Sequence, residues 1–289
     1  MAHVRFWSIA AGLTLAALLS GCASGGSTGT SSAGGGASTP AAAGYWTRSN
    51  LLGAQPAREW SLPSPGATPT AHNPALDAPR VGALFEHDAN GNHFCTASVV
   101  ASPGHDLLMT AAHCIHGGKG GSYKSDIVFI PGYQDGATPF GVWTPRSMLV
   151  APEWASSSDP DFDVGFVVLQ PLDGKNIEEV LGANQIGFDA GFDHLVRVTG
   201  YPSSAGAPVT CANRTSQQSA RQVKFECGGF FGGTSGSPWV TDFDPRTRTG
   251  TIVGVIGGYQ EGGDTDAISY SAYLNSDIRQ LYEQAAATP

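Results

Sequence analysis

Apolar and polar residues along this chain fall into short runs rather than helical stripes. Val81-Gly82-Ala83-Leu84-Phe85 and Phe94-Cys95-Thr96-Ala97-Ser98-Val99-Val100 flank Asp88-Ala89-Asn90-Gly91-Asn92, and two strands joined through an Asn-Gly turn make a hairpin. Further strands are expected over 106–111, 126–130, 163–169, 194–199, 223–227, 239–240, 251–256 and 267–273, each bounded by Gly, Pro or Asp. Short strands at this density point to antiparallel β-barrels. The sole helix predicted is the last element, where Asn275 or Ser276 caps a run that sets Ile278, Leu281 and Tyr282 on one face.

Ahead of Val81 the pattern weakens. Residues 45–80 scatter Trp, Leu and Pro without helical or strand period, and read as a loosely packed extension, a linker or a pro-segment. Residues 22–44 are almost entirely Gly, Ser, Thr and Ala beyond the first, too poor in apolar surface to offset the entropy of ordering, and read as a tether. Residues 1–21 read as a signal peptide: Arg5 supplies the positive region, and the apolar run from Phe6 to Leu19 is too short for a spanning anchor. Its end, Leu19-Ser20-Gly21-Cys22, resembles the lipobox of bacterial lipoproteins, which implies a lipid on Cys22 and attachment to the outer face of a bacterial membrane; without it the chain is simply secreted.

Composition narrows the picture in three ways. Charged residues are only 13% while Gly (39) and Pro (19) are abundant, which favours strands and turns over long helices. The net charge of −9 with no basic run argues against a nucleic-acid partner. With Cys22 set aside, Cys95, Cys114, Cys211 and Cys227 remain, an even set suited to an oxidising compartment. Three pairings are open to four cysteines, and the local ones, Cys95–Cys114 and Cys211–Cys227, are expected.

The candidate chemistry centres on Gly232-Gly233-Thr234-Ser235-Gly236-Ser237-Pro238. Small residues leave the Ser235 hydroxyl open to a carbonyl, and the N–H groups of Gly233 and Ser235 suit an oxyanion hole. A serine needs a base and an orienting acid. His113 stands at the end of the apolar run Leu107–Ala112, beside a cysteine that can staple it; His116 is a rival in the Gly-rich stretch that follows. Asp163 immediately precedes the apolar run Val164–Leu169, whereas Asp159 and Asp161 read as loop acids.

These blocks, Phe94–Val100, Thr110-Ala111-Ala112-His113-Cys114, Asp163-Val164-Gly165-Phe166 and Gly233–Pro238, resemble in type and order those of chymotrypsin-like serine peptidases, most nearly the bacterial branch that includes glutamyl endopeptidases. The resemblance implies an all-β fold of two antiparallel six-stranded barrels packed face to face, with the first over about 81–175, the second over about 190–274 and a C-terminal helix over about 276–286. It implies Ser235 as nucleophile, His113 as general base and then acid, Asp163 as orienting group, and no cofactor or metal. Thr234 stands where animal members carry an Asp that receives a freed N-terminus, which counts against that activation switch even though Arg80-Val81 invites processing. The substrate pocket is expected around Gly229 and Phe230 at its floor, with Ile256, Gly258 and Ser271 on its walls. The floor carries no acid for a basic side chain, and Ile256 replaces the histidine that reads a glutamate, so an apolar or small side chain is expected. The functional expectation is a monomeric, membrane-tethered endopeptidase acting on proteins or peptides. The competing readings are a peptidase-shaped binding module without turnover and a latent enzyme held inactive by residues 45–80.

Overall fold

The computed structural model describes residues 40–57, 71, 79–88 and 90–288. The expected signal peptide, Cys22 and the tether up to residue 39 lie outside them. No described helix is long and apolar enough to cross a membrane.

Among the described residues five short α-helices occur in chain order: α1 (Pro40–Tyr45), α2 (Arg48–Leu52), α3 (Pro152–Ser157), α4 (Ile177–Leu181) and α5 (Ser276–Ala286). The first sheet comprises β1 (Gln55–Pro56), β2 (Val81–Asp88), β3 (Gly91–Val100), β4 (Leu107–Thr110), β5 (Val128–Pro131), β6 (Pro145–Val150) and β7 (Gly165–Leu169). The second comprises β8 (Gln185–Ile186), β9 (Leu195–Gly200), β10 (Val209–Gln217), β11 (Gln222–Glu226), β12 (Pro238–Asp244), β13 (Thr249–Val255) and β14 (Ile268–Ala272).

Each sheet is a path of six antiparallel strands, β5-β2-β3-β4-β7-β6 and β14-β11-β10-β9-β12-β13, with a two-residue parallel strand added to each. The first path closes on itself where Phe129 exchanges two backbone bonds with Trp143, at 2.8 and 2.9 Å, just ahead of β6. The second closes where the Gly257 N–H donates to the Tyr270 carbonyl at 2.9 Å. The expected pair of six-stranded barrels is therefore present. The apolar runs Leu107–Thr110 and Gly165–Leu169 are buried throughout because they lie side by side in the first sheet, Leu108 opposite Val167. The second barrel packs Val196, Val198, Phe225, Phe230 and Trp239 inside.

Every expected strand is found. The turn of the first hairpin falls one residue earlier than the Asn-Gly pair suggests: Gly91 already pairs with Asp88, whose carboxylate accepts the Asn90 N–H at 2.7 Å. Four strands escape the apolar pattern: the two-residue β1 and β8, and the longer β6 and β10. β10 is mostly polar because half of it faces solvent, and β6 opens on a proline, whose missing N–H suits a strand end beside a register shift.

The reading of the amino-terminal segment needs correcting. The tether drawn to residue 44 runs too far, since α1 begins at Pro40 and Ala42 is buried. Residues 45–57 are not loosely packed either. Trp46 is buried against Phe85 and its indole N–H donates to the Asp126 carbonyl at 2.8 Å; Tyr45 bonds Asn92 at 2.8 Å; Leu51 is buried; β1 joins β3. Helices of five and six residues cannot show a period, so only the packing reveals them.

The C-terminal helix follows the expected cap. Asn275 Oδ1 accepts the N–H groups of Asp277 and Ile278 at 3.0 and 3.2 Å, Ile278 and Leu281 are buried, and the Tyr282 hydroxyl donates to the Ala101 carbonyl at 2.8 Å. Asn275→Ala is expected to lower unfolding stability by about 1 kcal/mol, measured by urea denaturation, whereas Arg246→Ala, on an exposed turn, should change it by less than about 0.5 kcal/mol.

Candidate active site

β4 ends at Thr110, and a single turn of 3₁₀ helix over Ala112–Cys114 carries His113 out of the sheet. The Cys95–Cys114 disulfide fastens that turn to β3, and Cys211–Cys227 joins β10 to the segment after β11, so both expected pairs are formed. Asp163 sits at the end of a 3₁₀ turn over Pro160–Phe162, just before β7. Because β7 runs beside β4, the acid arrives next to the histidine.

Asp163 is fully buried and accepts three N–H donors: His113 Nδ1 at 2.8 Å and the His113 backbone at 2.9 Å, and the Gly258 backbone at 2.9 Å. A buried carboxylate without such donors would cost several kcal/mol. The bond to Nδ1 makes that nitrogen the donor and leaves Nε2 as the one available to take a proton. Asp159 caps the turn by accepting the Asp161 N–H, and Asp161 pairs with Gln222 and Arg221, so both acids are spent on structure. His116 is likewise structural. Its Nδ1 receives the Gly118 N–H at 3.0 Å, its ring meets Tyr123 edge-on, and burial lowers its pKa.

Ser235 lies on a loop clamped between the barrels. Its carbonyl accepts the Thr96 N–H at 2.7 Å, the Gly233 carbonyl accepts the Thr96 hydroxyl at 3.0 Å, and the Gly236 N–H donates to Ile256 at 2.7 Å. The tight fit explains the glycines. A Cβ on Gly236, whose φ is +83°, would lie 2.0 Å from the Thr96 carbonyl and 2.2 Å from the Thr110 hydroxyl. One on Gly233, at φ +94°, would strike the Phe94 ring at 2.2 Å. The N–H groups of Gly233 and Ser235 meet no backbone acceptor among the described residues. The Ser235 hydroxyl and His113 Nε2 are both buried without a hydrogen-bond partner. Ser237 points elsewhere, its hydroxyl donating to the Thr234 carbonyl at 2.6 Å and lying against Gly200.

The expected pocket residues divide. Gly229 and Gly258 take left-handed φ of +99° and +79°; Gly229 has Ala71 packed beside it, and Gly258 is buried, where a Cβ would lie 2.4 Å from Gln222 and 2.7 Å from the Ala272 nitrogen. Phe230 and Ile256 are wholly buried in the second core. Ser271 spends its hydroxyl inside the barrel on the Val255 N–H and the Ala272 carbonyl, which leaves none to meet a substrate. Sequence reasoning missed Asp266, which reads as solvated in a polar stretch yet is buried, accepting the Gly229 N–H at 3.1 Å. A buried carboxylate thus stands behind Gly229, the residue expected at the pocket floor. The extension also returns here: the Ala71 N–H donates to the Gly228 carbonyl at 2.7 Å.

No family model matches the chain, and no curated protein matches it. Solved structures do. The protease Anisep from Arthrobacter nicotinovorans superposes with a TM-score of 0.67 at 25% identity, over 75% of this chain and 99% of that one. A thermostable serine protease, AL20, from an extremophilic microorganism gives 0.67 at 27% identity, over 74% and 100%. A Glu endopeptidase gives 0.61 at 15% identity, over 77% and 99%, a likeness of fold alone. The fold is that of chymotrypsin-like serine proteases.

Gly236→Ala is expected to cost about 3 kcal/mol or more, from left-handed strain plus the clash. Gly174→Ala, also left-handed at φ +73° but with nothing within 4 Å of its Cβ, should cost about 1 kcal/mol. Thermal unfolding of the two variants reads the difference.

Proposed function

We propose that the chain is an extracytoplasmic serine endopeptidase that cleaves proteins or peptides through an acyl-enzyme. The observation that carries this reading is the buried Asp163–His113 pair, with Ser235 held on a clamped loop between two barrels of serine-protease fold. Ser235 Oγ attacks the substrate carbonyl carbon as its proton passes to His113 Nε2. Asp163 stabilises the imidazolium, and the Gly233 and Ser235 N–H groups receive the oxyanion. Collapse breaks the C–N bond, and His113 returns the proton to the departing amine. Water then repeats the sequence on the ester. The Ser235–His113 bond that this chemistry needs forms when substrate aligns the two groups, as catalytic hydrogen bonds commonly tighten in the complex.

Two disulfides fit an oxidising compartment. Lipid on Cys22 would tether the enzyme outside the membrane, with residues 23–39 as the leash.

A fluorophosphonate is expected to label the full chain and to leave Ser235→Ala unlabelled. Asp163→Asn should fold and lose on the order of 10³–10⁴-fold in kcat. A folded wild type that resists labelling and leaves a peptide library uncut would favour the binding module. Cys22→Ala is expected to move the protein from the membrane fraction to the medium; an unchanged distribution would rule out the anchor.

A further inference from the structure

The edge of β3 at His93–Phe94 is left open by the barrel itself. On one side β2 pairs along β3 from Gly91 to Ser98, but on the other β4 pairs only with Ser98–Val100 before the chain turns away to deliver His113. The free edge therefore begins where the histidine turn departs, beside the Cys95–Cys114 staple. Phe94 also borders the oxyanion loop, its ring filling the space that a Cβ on Gly233 would take. A peptide whose carbonyl oxygen lies at Gly233 and Ser235, with its acyl side toward Gly229 and Gly258, must send its leaving side past His113 onto this edge. An exposed strand edge is a ready template for an extended peptide.

In this structure the edge is taken. β1 lies parallel to β3 with Gln55 opposite His93 and Pro56 opposite Phe94, and the Ala57 N–H donates to the Phe94 carbonyl at 2.9 Å. The segment is held there by Trp46 and Leu51 in a common core with Ala83, Phe85 and Ile130. The expected nucleophile is buried in the same state. We propose that residues 55–57 are an intramolecular competitor for the leaving-group half of the substrate cleft, so that the full chain is a peptidase with its departing-side subsites occupied by its own amino-terminal segment. This rests on the peptidase reading above and gives the latent form a specific mode: competition for one strand edge. The Asp163–His113 pair is formed in this state, and only half of the cleft is contested.

The test compares two substrates that share an acyl sequence chosen by library profiling. One is a peptide p-nitroanilide with nothing beyond the scissile bond; the other is an internally quenched peptide with three further residues. Ala57→Pro removes the N–H that bonds Phe94. In the full chain it is expected to raise kcat/KM for the quenched peptide about tenfold, through KM, the equivalent of one net hydrogen bond, and to leave the p-nitroanilide within about twofold. Trp46→Ala, which loosens the segment at its other anchor, should give the same selective rise, so a folding defect in either variant leaves the question answerable. If neither variant changes the preference between the two substrates, the segment does not compete and the proposal falls. If fluorophosphonate labels none of the proteins, the peptidase reading falls and takes the proposal with it; labelling with unchanged preference overturns the proposal alone.

Discussion

One buried negative charge organises this molecule. Asp163 enters from the first barrel and is neutralised by donors from both: two N–H groups of His113 on its own side and the Gly258 N–H, which follows β13, from the other. Removing a carboxylate from water is tolerable only when such donors are fixed in place, so the barrels must meet in one arrangement for the charge to be buried at all. The clamp on the Ser235 loop works toward the same end. Thr96 of the first barrel binds the carbonyls of Gly233 and Ser235, and Ile256 of the second holds Gly236. Interface and site are thus built from the same bonds.

The amino-terminal segment shows a different economy. It contributes no charge to the centre, yet it shares a core with the first barrel through Trp46 and Leu51, and it uses the one stretch of β3 that the barrel leaves unpaired. An open strand edge is a liability as well as a binding surface, and covering it with part of the same chain meets both problems.

The centre was legible in the sequence because each of its parts sits where an apolar run meets small residues: His113 after Leu107–Ala112, Asp163 before Val164–Leu169, Ser235 among glycines. Local pattern and global placement agree there. Legibility ended where burial depends on distant partners. Asp266 reads as solvated because its neighbours are Gly, Asp and Thr, yet it is buried where its carboxylate accepts the N–H of Gly229, 37 residues away. Ser271 reads as a pocket wall until its hydroxyl is seen to serve β13. Trp46 has no periodic context, and its place is set by Phe85 and Asp126. β10 is nearly all polar on its outer positions, and nothing short of its pairing with β9 and β11 marks it as a strand.

Arg80 carries a consequence for maturation. Its guanidinium donates to the carbonyls of Thr247 and Arg248, in the β12–β13 hairpin of the second barrel, at 3.1 and 2.9 Å, and its own carbonyl accepts the Val99 N–H at 2.9 Å. The bond after Arg80 looks inviting to a trypsin-like convertase when read as a string of letters. In the folded protein the side chain such a convertase must engulf is already held by the opposite barrel, and the backbone it must straighten is already paired. Any cleavage of that bond in the folded protein would first have to break these contacts.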